Sequence, residues 1–465
     1  MLFDFAKYPG KDAIIDDTGL VVKYDDLVDF QSEIKKIVPE RSLVFLLSRN
    51  VAGSMAGYCV FVSTNVVPAM FGADTHKDMM ADLTDTYQPD YFWLPEDMAD
   101  DFPYEKVYSR FNYCLLKTGM KSYPMHKELG LLLTTSGSTG SPKLVRLSYK
   151  NIDGFEEIIL NYCDDYEYNR HTSTMPIYHN YDLLGLSRML YHGWACLLTS
   201  KNFLNPDFWT FFTENGGDSF GSVPFNYDLL ERIKFREKGI KLLYSSCGGG
   251  SLTPEVHNKY ATWHKENGST FMIIYGATEA PGGLLVLYGD DTLKKPGSIG
   301  KPVPPGEVTL EDDDGNIITQ PNVPGEIVYT GPIVCMGYAQ CGDDLIKDDE
   351  YNDVLHTGDI AYFDEEGFYF IVGRKARFLK LLGERVSLDE TEQLLTGELN
   401  GAEVACKGVD DKLAVYVTDD SEETKQKIIM FLISRLKISP TLVAVEPVDS
   451  IPRLATGKID YSKLV

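Results

Sequence analysis

The chain has 465 residues, more than a single hydrophobic core holds, so two or more domains are expected. Hydrophobic residues make up 43% and charged residues 24%, the balance of a water-soluble globular protein, with no low-complexity tract. The net charge of −25 repels nucleic acid and anionic lipid, which argues against both as partners; an anionic ligand would need a local site of backbone N–H groups and lysines.

The N-terminal Met-Leu-Phe-Asp-Phe has no basic region ahead of an apolar run, so no signal peptide is expected. The eight cysteines are scattered without a CxxC pair and the eight histidines form no HExxH, so neither a zinc site nor a disulfide framework is expected. Reduced thiols and a cytoplasmic location follow from that reading. Leu43–Leu47 is a short apolar run of strand type. The most apolar window, Val51 to Ala73, carries Ser54, Ser63, Thr64, Asn65 and Pro68, and reads as a buried helix followed by a buried strand rather than a membrane span. Strand-like runs at Leu131–Thr134 and Phe271–Tyr275 alternate with helix-like stretches at Ile152–Tyr162 and Phe225–Lys238. Such alternation predicts an α/β architecture with mostly parallel sheets flanked by helices.

Between strand-like Leu131–Leu133 and the β-like run Leu144–Leu147 lies Thr134-Thr135-Ser136-Gly137-Ser138-Thr139-Gly140-Ser141-Pro142-Lys143. Its glycines admit an anion close to the backbone. Its amides and hydroxyls supply donors to phosphate oxygens, and Lys143 adds positive charge. A Walker loop ends in Gly-Lys-Ser/Thr and opens a helix; this loop does neither, which disfavours an ordinary P-loop ATPase or kinase.

From Gly297 to Val372 turn signals at Asp314-Gly315 and Glu366-Gly367 separate short β runs, predicting a smaller, mostly antiparallel β subdomain. Beyond Gly373 the chain is more charged, with helix-like stretches at Leu388–Leu395 and Glu422–Leu436. The expected domains are therefore 1–375 and a small α+β domain, 376–465.

The phosphate loop resembles that of the ANL superfamily of adenylate-forming enzymes: acyl- and aryl-CoA synthetases, peptide-synthetase adenylation domains and luciferases. Further segments resemble its motifs in the same order. They are Tyr275-Gly276-Ala277-Thr278-Glu279, Thr357-Gly358-Asp359, Gly373-Arg374-Lys375, Leu379-Lys380-Leu381-Leu382-Gly383-Glu384-Arg385-Val386 and Pro452 to Lys458. The set spans residues 134 to 458.

The resemblance implies ATP and Mg²⁺ as cofactors and a large AMP-binding domain followed by a small mobile one. Thr135, Ser136, Gly137, Ser138, Thr139, Gly140 and Lys143 would hold the pyrophosphate. Glu279 would help to hold Mg²⁺, Thr278 would contact the α-phosphate, and Tyr275 and Gly276 would lie by the adenine. Gly248, Gly249, Gly250 and Ser251 resemble the stretch that also lines the adenine pocket. Asp359 would accept from the ribose hydroxyls, which suits a group with two acceptor oxygens, and Arg374 would help hold the sugar. Lys458 matches the catalytic lysine, whose ammonium would bridge the substrate carboxylate and the α-phosphate. Lys380 and Gly383 would serve the second step after rotation of the small domain. The pivot falls on Ala376, where many relatives have Asp or Lys. Leu144 also departs from a frequent Gly.

The resemblance implies activation of a carboxylic acid as acyl-AMP, then acyl transfer to a thiol or amine. Met175 to Leu183 resembles the substrate-pocket stretch, with His179 at an aromatic or His position, and Phe225 begins another pocket wall. These walls suit a small acyl or aryl acid. Asp182 leaves an amino acid open, as in a stand-alone amino-acid-adenylating enzyme feeding amide formation or surface-polysaccharide modification. Coenzyme A, a carrier protein's phosphopantetheine and an amine all stay open as acceptors, since no basic cluster marks a CoA pocket. A non-catalytic nucleotide-binding protein is disfavoured by the presence of Lys458, Glu279 and Asp359 together.

Overall fold

The computed structural model describes residues 3–134, 143–154, 170–381, 384–399, 401–409, 412–436, 438–454 and 457–464. Contacts divide the chain into two compact units, Met1–Val308 with Tyr329–Leu355, and Thr309–Val328 with His356–Val465.

The first unit is built on two large sheets. One runs in the order Tyr338–Ala339, Leu144–Ser148, Leu129–Thr134, Val67–Gly72, Leu43–Ser48, Tyr91–Pro95, Tyr113–Lys117, Glu105–Arg110. Its four strands from Leu129–Thr134 to Tyr91–Pro95 are parallel, and its flanks are antiparallel. The other runs Lys301–Pro302, Ala280–Tyr288, Thr270–Ala277, Tyr244–Gly248, Ser219–Ser222, Arg170–Thr172, Ala195–Leu198, Asp12–Asp16, Val21–Lys23. It is parallel from Thr270–Ala277 to Asp12–Asp16 and antiparallel beyond. The central strands are continuous apolar runs because both of their faces are covered. Leu43–Ser48 and Val67–Gly72 are buried at every residue.

The apolar window resolves as expected into the helix Ala52–Ser63 and the strand Val67–Gly72, with every residue of both buried. A helix apolar on all sides must be enclosed; this one packs with Phe30, Trp93, Leu131 and Leu186 in the main core. Among the described residues no helix is long and apolar enough to cross a membrane. The helix-like stretch Phe225–Lys238 breaks in two, Pro224–Arg232 and Phe235–Glu237, because Lys234 takes a left-handed φ of 52°. Of Ile152–Tyr162, only residues to 154 are described.

The stretch 297–372 supplies a β-rich unit of its own and two edge strands to the large sheets. Lys301–Pro302 and Tyr338–Ala339 are edge strands of the large sheets, where two-residue strands satisfy a border without extending it. Glu307–Glu311, Gly325–Thr330, Val354–Phe363 and Tyr369–Arg374 form a separate four-stranded sheet, its last pair antiparallel.

In the second unit the hairpin Phe378–Leu381 and Glu384–Ser387 precedes the helix Leu388–Glu398. The strands Val404–Val409, Lys412–Val417 and Val443–Pro447 form a sheet, with the helix Glu422–Leu436 before its last strand. Leu379, Leu395, Val415, Ile428 and Leu432 share its core. Both helices begin where the sequence places them.

Candidate active site

Leu129–Thr134 and Leu144–Ser148, the strands on either side of the Gly/Ser segment, pair antiparallel with Thr134 opposite Leu144. Thr135, Ser136, Gly137, Ser138, Thr139 and Gly140 lie outside the described residues. Lys143 is described: its Nζ lies 3.2 Å from the centre of the Tyr338 ring. The Tyr338 hydroxyl donates to Glu279 Oε1 at 2.7 Å. The loop lysine and the expected metal-site acid thus meet through a tyrosine that motif reading missed. Its signal was faint: a single aromatic in a two-residue strand.

Thr278 and Glu279 are the turn residues between Thr270–Ala277 and Ala280–Tyr288, whose ends pair Ala277 with Ala280. Glu279 therefore stands at a hairpin tip, not at the start of a helix. Gly276 is required there: a Cβ would lie 2.2 Å from the Gly282 carbonyl oxygen across the hairpin. The Cys335 amide donates to the Glu279 carbonyl at 2.7 Å and fastens the tip. Tyr275 and Gly276 lie on the hairpin strand, and Gly248 is registered beside Ile274 on its neighbour, with Gly249, Gly250 and Ser251 following.

The pocket stretch is tied to the same hairpin. His179 stands just before the helix Asn180–Tyr191, and the Asn180 side-chain amide donates to the Ala277 carbonyl at 3.0 Å. Tyr181, absent from the expected site, packs on Gly248 and bonds Ser246 Oγ at 2.7 Å. His179 lies 4.5 Å from Tyr178, ring centre to ring centre. Phe225 is exposed in the first turn of Pro224–Arg232.

Asp182 is buried where its helix begins. It is only 1% exposed, and its Oδ2 accepts from Ser173 Oγ at 2.5 Å and from the Met175 amide at 3.2 Å. Through Oδ2 the carboxylate holds the Ser173–Met175 segment, and its buried Oδ1 has no hydrogen-bond partner among the described residues. Burial raises its pKa to about 7, with those hydrogen bonds opposing.

In the second unit, Asp359 and Arg374 sit opposite each other on paired strands, with Arg374 Nε 3.0 Å from Asp359 Oδ1. The Arg374 amide donates to Asp389 Oδ2 at 3.0 Å, which holds the strand end. Lys458 feels both charges. Surrounding protein pushes its pKa below the ordinary lysine value, Arg374 pushes the same way, and Asp359 opposes, although much of the residue's area stays exposed. Two of the expected residues, Asp359 and Arg374, are thus brought together here. Lys380 is on the strand Phe378–Leu381, opposite Arg385; its side chain, and Gly383, lie outside the described residues.

Among the described residues no three His, Cys, Asp or Glu side chains converge as a metal cage. A single half-buried carboxylate, Glu279, fits Mg²⁺ nonetheless, since that ion takes one or two carboxylates and fills its octahedron with phosphate oxygens and water. The Asp359 carboxylate, 9% exposed and steadied by Arg374, has the acceptor chemistry a ribose diol requires.

A long-chain-fatty-acid–CoA ligase of Escherichia coli O157:H7 is 30% identical over 360 residues, 72% of this chain and 60% of that protein. The matched segment thus spans less than two-thirds of that relative's length. A 2-succinylbenzoate–CoA ligase of Bacillus cereus is 29% identical over 343 residues, 72% of this chain and 69% of the relative. An o-succinylbenzoate CoA synthetase of Bacillus subtilis, solved with its acyl-adenylate intermediate, shares the fold with a TM-score of 0.79. The superposition covers 99% of this chain and 96% of that one at 18% identity. Residues 62–339, more than half of the chain, match the profile of the AMP-binding enzymes, and the chain belongs to that family.

Proposed function

We propose that the chain is an ATP-dependent acid–thiol ligase. In the first step an oxygen of the substrate carboxylate attacks the α-phosphorus of ATP. The bond from that phosphorus to the bridging oxygen breaks, and pyrophosphate leaves. In the second a thiol sulfur attacks the acyl carbon, the bond to AMP breaks, and the thiol proton passes to solvent. The observation that carries the reading is membership of the AMP-binding family, and the pairing of Arg374 with Asp359 supports it.

Both steps bring anions together, so the residues' task is to offset charge and align the groups. Lys458 would bridge carboxylate and α-phosphate, Asp359 and Arg374 would hold the ribose, and Lys143 and the Gly/Ser loop would take the pyrophosphate. Glu279 would hold Mg²⁺, which when bound supplies electrostatic stabilisation to the phosphates. Thr278 would contact the α-phosphate, and Lys380 would serve the transfer step. The mobile part would be 376–465, turning at Ala376. The two named CoA ligases support an acyl or aryl acid as the substrate and coenzyme A as the thiol.

Pyrophosphate exchange into ATP, measured with a panel of fatty, aryl and amino acids, tests the first step. Addition of coenzyme A to the best acid tests the second. Exchange with no acid of any class removes the ligase reading.

A further inference from the structure

Lys143 and Glu279 carry opposite charges at one place, and a direct pairing between them would consume both the phosphate-binding cation and the metal-binding acid. Among the described residues they do not pair with each other. Between them stands Tyr338, which offers its ring face to Lys143 and its hydroxyl to Glu279 Oε1. We propose that Tyr338 is a positioning residue that keeps the Lys143 ammonium and the Glu279 carboxylate apart, leaving one free for phosphate and the other for a divalent cation. The inference rests on the ligase reading for those two ligands.

The tyrosine is held firmly enough for this work. Its two-residue strand pairs with Leu144–Ser148, placing Tyr338 opposite Val145, two positions from Lys143. The preceding Gly337 has a φ of 110°, and a Cβ there would lie 2.7 Å from Glu350 Oε2, so only glycine lets the chain turn here. Fully buried Arg146 secures the turn, donating to the Met336 carbonyl at 2.8 Å and to Glu350 Oε2 at 2.6 Å. The Tyr351 ring meets Tyr338 edge-on at 6.0 Å. A ring face binds a cation without neutralising it, and a neutral hydroxyl bonds one carboxylate oxygen while leaving the other available.

Tyr338→Phe removes the donor and keeps the ring; Tyr338→Leu removes both. The test is calorimetric titration of the full-length protein with ATP, in EDTA and in Mg²⁺. In Tyr338→Phe, ATP binding without metal stays within about twofold of wild type, while its strengthening by Mg²⁺ falls about tenfold, the effect of losing one charge-assisted hydrogen bond. In Tyr338→Leu the metal-free affinity falls as well, because Lys143 then pairs with Glu279. Wild-type Mg²⁺ dependence in Tyr338→Phe overturns the proposal, and so does a wild-type protein whose ATP affinity ignores Mg²⁺. The readout is binding, so a protein that binds Mg²⁺–ATP as described but exchanges no pyrophosphate refutes the ligase reading and not the role of Tyr338. If Tyr338→Leu does not fold, the isosteric Phe variant decides alone.

Discussion

Lys458 lies within the influence of Arg374 and Asp359, and its neighbours hold its pKa below the usual lysine value. Its active form is the ammonium, so the adenylation rate should decline on the alkaline side before the ordinary lysine range near ~10.4 is reached. Lys458→Arg should move that limb upward, because guanidinium keeps its proton. Lys458→Ala should slow adenylation at least about a hundredfold, the cost of one electrostatic donor, with ATP affinity by calorimetry retained. Unchanged adenylation would remove Lys458 from the mechanism. Asp182 gives an opposite pH signature. Its folded pKa of about 7 stands above the ordinary ~3.9, so between those values the folded protein binds more protons than the unfolded one. Stability should therefore fall as pH rises from ~4 to ~7, by up to about 1.4 kcal/mol per pH unit. Asp182→Asn should flatten that slope in urea titrations at pH 5 and pH 7. The carboxylate was legible in the sequence, but its direction was not. Which side of a strand–helix junction a lone acid faces is set by the packing of Ser173 and Met175 around it.

At the level of elements, the residues just past the expected pivot are locked into the second unit. Arg377 pairs with Asp389, and its Nη2 lies 2.6 Å from Glu392 Oε1. Tyr461 donates to Glu392 Oε2 at 2.8 Å, and the Arg377 guanidinium lies 3.7 Å over the Tyr461 ring. The cluster joins the segment after Ala376 to the C-terminal stretch that carries Lys458. Arg377→Met would leave Glu392 buried without its cation, at a cost of about 3–5 kcal/mol. Thermal unfolding should show that loss, and adding Glu392→Gln should recover part of it. The strands and helices themselves were largely legible: Leu43–Ser48, Leu129–Thr134, Ala52–Ser63 and Glu422–Leu436 stand where apolar runs and periodicity put them. The long helix expected across Phe225–Lys238 was not, because a left-handed Lys234 leaves no mark in hydrophobic pattern.

For the whole molecule, the proposed rotation predicts a separation of the two half-reactions. Ala376→Pro stiffens the proposed pivot. Acid-dependent pyrophosphate exchange should persist, while acyl transfer to coenzyme A falls more than about tenfold, equivalent to ~1.4 kcal/mol of barrier. Equal loss of both steps would place the pivot elsewhere. Contacts put residues 309–328 with the C-terminal residues. Grouping of that kind joins segments distant in the chain, which a reading along the sequence does not anticipate.

The sequence by itself determined the family, the order of its motifs, the α/β class and the identities of Lys143, Glu279, Asp359, Arg374 and Lys458 as candidates. These are local facts: a residue type at a fixed spacing, or an apolar run of a given period. Only the tertiary structure placed Tyr338 between Lys143 and Glu279, turned Asp182 inward and divided 297–372 among several sheets. The first and last depend on strand pairing between residues far apart in the chain, decided by which faces can be buried together; Asp182 is set by how its helix packs on Ser173 and Met175.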